Sequence, residues 1–175
     1  MVSDYRNLHA VHAINRYLWS RIGPTPGTGI LAPINYQGVS ITPIVPVEET
    51  PTLLTAIESQ TGIKSVPFIV YNWTKIDSGQ TWMIETNEIA YSLRSADDKA
   101  MRQMINLFDD EFKDYDLAAQ RVNDYLFTNG SDALRQFDFK YIRVSSLGGQ
   151  MPVTEENDQN EAIVSISATF TRSSR

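Results

Sequence analysis

The residues of this chain that could do chemistry are few. His9 and His12 are its two histidines, three apart in a helical pattern, so both imidazoles could reach one metal ion. A catalytic zinc site draws on three protein ligands. No carboxylate stands at a step that would supply the third, so the pair reads as solvent-facing or interfacial. Carboxylates cluster at Asp97-Asp98, Asp109-Asp110-Glu111 and Glu155-Glu156. General acid–base work needs two acids in a cleft with their pKa values pushed apart. Asp97-Asp98 suits a helix start instead, Asp109-Asp110-Glu111 the polar side of a helix, and Glu155-Glu156 a solvated loop.

The glycine-bearing loops are equally bland. Gly62-Ile63-Lys64-Ser65 ends like a phosphate-binding loop but lacks the upstream glycine spacing. Gly27-Thr28-Gly29 is too short and too proline-flanked for a dinucleotide fingerprint. No serine sits in a Gly-x-Ser-x-Gly elbow. The aromatics Tyr71, Trp73, Trp82 and Tyr91 gather in one hairpin and could stack single-stranded nucleic acid. That mode wants interleaved basic residues, and only Lys75 and Arg94 are near, among Asp77, Glu85 and Glu88. Packing in the core or between subunits fits Trp73 and Trp82 better. The chain has no cysteine, hence no disulfide and no thiolate metal site. These readings together predict a protein that is not an enzyme and that holds no cofactor or metal.

With 175 residues the chain fits one domain, large enough to bury a real core. Its net charge of −6, from 15 basic and 21 acidic residues, does not favour a sequence-independent grip on phosphates. Such a surface could still surround DNA without holding it. No apolar run approaches the roughly 18–20 residues of a membrane span. The first residues lack the basic-then-apolar layout of a secretion signal, so synthesis in the cytosol is expected.

The elements that must position these residues read as follows. Leu8, Val11, Ile14, Leu18 and Ile22 recur at three- and four-residue steps and predict a helix over 3–22. Ser3 or Asp4 would cap it, and Gly23-Pro24 would stop it by a left-handed turn. Segment 23–51 carries six prolines and four glycines, which exclude a continuous helix or a central strand. It is nevertheless apolar, with Ile30, Leu31, Ile34 and Tyr36 among its residues. It reads either as an extended segment lying across its own domain or as an arm that packs those four residues on a neighbouring subunit. A short helix over 50–60 follows, capped by Thr50, with Pro51 at its first position and Leu53, Leu54 and Ile57 inward.

Residues 66–93 predict two strands joined at Asp77-Ser78-Gly79-Gln80. In the first, Ile69, Tyr71 and Trp73 share one face while Phe68 and Val70 take the other, so both sides are expected to be covered. In the second, Ile89, Tyr91 and Leu93 alternate with polar or small residues. The 97–112 pattern, with Met101, Met104, Ile105, Phe108 and Phe112 on one stripe, is the clearest helix. A second, over 114–127, carries Ala118, Val122, Tyr125 and Leu126 inward. Strands are expected at 137–145 and 162–171, separated by a long acidic loop, 148–161, expected to be mobile. The last strand alternates cleanly: Val164, Ile166, Ala168 and Phe170 against Ser165, Ser167, Thr169 and Thr171. The fold class expected is α+β. A small mixed or antiparallel sheet would carry the N-terminal helix and the central helix pair on one face.

This element order resembles the tail terminator and tail completion proteins of tailed bacteriophages, of the lambda type. Pro67-Phe68-Ile69-Val70-Tyr71 looks like that family's first strand. Trp82-Met83-Ile84-Glu85 through Ile89-Ala90-Tyr91-Ser92-Leu93, followed by the 97–112 helix, looks like its second strand and main helix. Gly148-Gly149 through Glu161-Ala162-Ile163-Val164-Ser165-Ile166 looks like its last loop and final strand. The resemblance spans about 66–172. It implies a structural virion protein, assembled in the host cytoplasm. Copies would form a hexameric ring at the head-proximal end of the tail, capping the tail tube and meeting a neck or connector protein and, in some tails, the sheath. DNA would pass through the channel without sequence-specific contact. On that reading Glu155, Glu156 and Asp158 belong to the contact with the tube, and Ser165, Ser167, Thr169 and Thr171 to a channel or solvent wall. Two other readings stand beside it: another connector, neck or tube component of a virion, and a small-ligand binding module.

Overall fold

The computed structural model describes residues 9–61, 66–76, 84–148, 151–152 and 160–172. Helix α1 (Ala10–Ile22) turns its stripe of Val11, Ile14, Leu18 and Ile22 fully inward. Its expected start at Ser3 or Asp4, and Leu8, lie outside the described residues. His9 stands at the cap, and its backbone N–H donates to His12 Nδ1 over 3.2 Å. Gly23 ends α1 in extended backbone, φ −74° and ψ −170°, and not in the left-handed turn expected of it. What the position demands is room: a Cβ there would lie 2.7 Å from the Trp19 carbonyl oxygen.

The proline-rich segment is built into its own domain. Strands β1 (Ile34–Tyr36) and β2 (Val39–Ile41) form a small antiparallel hairpin. Its turn places Gln37 and Gly38 at φ +50° and +79°, the geometry whose twist matches that of paired strands. Strand β3 (Ile44–Pro46) then pairs parallel with β4 (Phe68–Ile76) at the edge of the main sheet. A 3₁₀ turn (Val47–Glu49) leads into α2 (Thr50–Thr61). Thr50 is therefore the first helical residue and not a cap, and its buried hydroxyl finds no partner among the described residues.

The rest of the sheet is antiparallel: β4, β5 (Ile84–Ser95), β8 (Asn160–Arg172) and β6 (Phe137–Leu147), in that spatial order. The short β7 (Met151–Pro152) extends the β6 side of β8. The segment expected to be a free loop, 148–161, thus gives four residues to the sheet, Met151 and Pro152 in β7 and Asn160 and Glu161 at the start of β8; residues 149–150 and 153–159 of it lie outside the described residues. The chain is α+β, with a mixed sheet and four helices among the described residues.

Two apolar cores follow from the two faces of that sheet. Helices α1, α3 (Asp98–Phe112) and α4 (Tyr115–Asn129) cover one face, where Ile69, Ile89, Tyr91, Leu93, Val164, Ile166 and Phe170 meet Met101, Met104, Phe108, Phe112 and Val122. Asp97 caps α3 by accepting from the Lys99 N–H (2.8 Å), and Asp114 caps α4 by accepting from the Leu117 N–H (3.2 Å). Each satisfies an N–H that the first turn leaves without a partner. On the opposite face α2 and β1 make a smaller core in which Leu53, Ala56 and Ile57 press Ile34 onto Val45, Phe68 and Val70. Both sides of β4 are covered at Phe68–Tyr71, as the apolar run in its sequence predicts.

Candidate functional site: the open part of the sheet

Beyond Val70 the second face of the sheet has no helix over it among the described residues. Directly opposed residues share a face, so the register sets out its rows. Thr74, Glu88, Ser167 and Arg143 form one, and Ile76, Thr86, Thr169 and Tyr141 the next. Asn72, Ala90 and Ser165 form the row before these.

The four hydroxyl residues assigned to a wall do lie on this face, yet they are not a smooth, solvated row. Ser167 is buried, and Ser165, Thr169 and Thr171 are half-buried. The Thr86 and Thr169 hydroxyls bond each other over 3.0 Å, and Ser145 donates to Glu88 over 3.1 Å. What stands out toward solvent are the larger neighbours: Ile76, Ile84, Ile163 and Tyr141, each 41–52% exposed. Short hydroxyls on a flat sheet are screened by the long side chains around them. The face is therefore a mixed apolar and polar surface with Glu88 and Arg143 on it, and the channel or solvent wall expected of those four residues is corrected to that extent. A shallow hollow of about 110 Å³ lies between Asn72, Thr74, Glu88 and Ser165.

The other expected contact residues are distributed differently. Leu31 is fully buried and Ile34 nearly so, both in the chain's own cores, so neither is available to a neighbouring subunit. Ile30 is half-buried against the main core, and Tyr36 half-buried against the smaller one. Most of the apolar character of 23–51 is used within the domain, while Val39 and Val47 stay exposed. Trp73 packs at the end of the main core, with the His9 ring 4.2 Å away. Trp82, Glu155, Glu156 and Asp158 lie outside the described residues.

A polar cluster between the helices was missed in the sequence. Glu111, placed above on the polar side of its helix, is 7% exposed. Tyr17 donates its hydroxyl to Glu111 Oε2, Arg21 Nε donates to Oε1 over 2.9 Å, and Arg121 Nη1 stands 3.7 Å away. Burial first, and then the bond to the carboxylate, pushes the Tyr17 hydroxyl well above its ordinary pKa. The signal was present: Glu111 follows Met104 and Phe108 on the inward stripe, at steps of four and three. Its work is to tie α1 and α4 to α3. A cleft of about 420 Å³ opens beside it, lined by Arg21, Thr28, Asn106 and Asp110 among others.

His9 and His12 have ring centroids 5.9 Å apart. His12 Nδ1 is taken by the His9 backbone, and among the described residues no three His, Cys, Asp or Glu side chains converge on a point where a metal ion could sit. No described helix is long and apolar enough to cross a membrane. No protein-family model matches the chain, and no curated protein matches it.

Proposed function

We propose that this chain is a structural protein of a phage virion that assembles with copies of itself into a ring at the head-proximal end of the tail. There the ring would cap the tail tube and meet the neck. The observation that carries the reading is the asymmetry of the sheet. Among the described residues one face is closed by three helices, whereas the other is closed only at its β3–β4 end and presents Ile76, Ile84, Ile163 and Tyr141 beyond it. Exposed apolar side chains on a hydroxyl-bearing sheet face suit burial by another protein surface. The element order over 66–172 supports the reading too, since it resembles that of the lambda-type tail terminators. The acidic balance suits a channel that DNA slides through without sticking.

Native mass spectrometry of the purified chain, with electron microscopy of the same sample, tests this. A single closed ring, six copies by the resemblance, is expected. A stable monomer at high concentration counts against any ring. Filaments of stacked rings would place the chain in the tube instead.

A further inference from the structure

The two lateral edges of the main sheet differ in charge and each carries exposed apolar side chains. At the β3 edge the 3₁₀ turn presents Val47, 48% exposed, followed by the exposed acids Glu48 and Glu49. The surrounding sequence reinforces the sign: between Arg21 and Lys64 there are three acids and no lysine or arginine. At the far edge β6 presents Tyr141, 52% exposed, between Lys140 and Arg143. Lys140 is paired with Asp138, but Arg143, like Glu48 and Glu49, has no ionic partner among the described residues.

The backbone of β6 narrows how this edge could be used. Asn123 of α4 takes up both polar groups of Phe139, accepting from its N–H (3.0 Å) and donating to its carbonyl (2.9 Å). Past that point the pairing with β8 shifts register between Phe139 and Tyr141 and again between Val144 and Ser146. Bulges of this kind twist an edge away from strand addition. A contact at this edge would therefore be made by side chains.

We infer that the β6 edge of one protomer docks on the β3 edge of the next. Arg143 and Tyr141 would meet Glu48, Glu49 and Val47 of a second copy. The occupant follows from charge complementarity between the two ends of one sheet. Because the patches differ, the contact is head-to-tail, the kind that closes into a ring when the rotation between copies permits. This contact rests on the ring reading above and names the surfaces that would form it.

Charge reversal of the full chain tests it. Arg143→Glu alone, and Glu48→Arg with Glu49→Arg, are each expected to raise the concentration of half-assembly about tenfold or more, measured by analytical ultracentrifugation. All three changes together are expected to recover most of that loss, and circular dichroism of every variant to match the parent fold, since these side chains are exposed. A parent chain that assembles, with reversals that leave assembly unchanged or a triple variant that is not rescued, overturns the contact and leaves the ring standing. A parent chain that stays monomeric overturns both.

Discussion

Strand β8 shows two kinds of surface on one backbone. On one side Val164, Ile166, Ala168 and Phe170 are wholly buried beneath the helices. On the other, Ser165, Ser167, Thr169 and Thr171 lie low among larger neighbours, and Thr169 bonds sideways to Thr86. The first side holds the protomer together by removing apolar area from water. The second adds little to that, because a hydroxyl that bonds a neighbour has exchanged one partner, water, for another. The difference teaches that fold stability and outward contact are separated across the thickness of one sheet.

The largest expected effect breaks the buried side. Phe170→Ala leaves a void among Phe137, Phe139 and the strand's own neighbours. It should cost about 3–5 kcal/mol, read as a shift of the urea midpoint. Leu53→Ala, in the smaller core on the opposite face, should cost about 2–3 kcal/mol. It should also raise amide exchange in α2 and the β1–β2 hairpin before the main core opens. Equal loss of protection in α3 would show that the two cores unfold as one. On the hydroxyl side, Thr169→Val should change stability by less than about 0.5 kcal/mol. A loss as large as that of Leu53→Ala would end the distinction drawn here.

The smallest effect is one of pH at the start of α1. Burial, helped by the charges of His12 and Arg172 and opposed by Glu85, holds His9 below its ordinary pKa of 6.5. The fold therefore favours the neutral ring. Its stabilisation is fully present above pH 6.5 and is lost as pH falls through the lowered folded value. Amide exchange in the first turn of α1 should quicken on acidification beyond its intrinsic pH dependence, and His9→Gln should remove that excess. An unchanged excess in the variant would assign the effect elsewhere.

The amphipathic helices were legible because periodicity states burial directly: all four residues of the α1 stripe that are described, and Met101, Met104, Phe108 and Phe112 of α3, lie fully inside. The two-sided covering of Phe68–Tyr71 was legible for the same reason. Segment 23–51 was not. Its strands are three residues each, too short for an alternation to register, and its hairpin rests on positive φ at Gln37 and Gly38, which residue types signal weakly. Glu111 was misread because a charged letter outweighed its place on the stripe. The exposed surface of the sheet was read as hydroxyls because one strand was considered alone, whereas most of the side chains that stand above them come from β4 (Ile76), β5 (Ile84) and β6 (Tyr141).

The sequence by itself determined which residues of each helix and strand turn inward, since apolar side chains at a fixed period have one way to leave water together. Only the tertiary structure decided where polar and marginal residues end up. Leu31 and Ile34 became core, Glu111 became a buried tie between helices, and Ile84, Ile163 and Tyr141 became the outer surface. Their positions depend on which strands become neighbours and on where α2 stops covering the sheet, and no local period carries either.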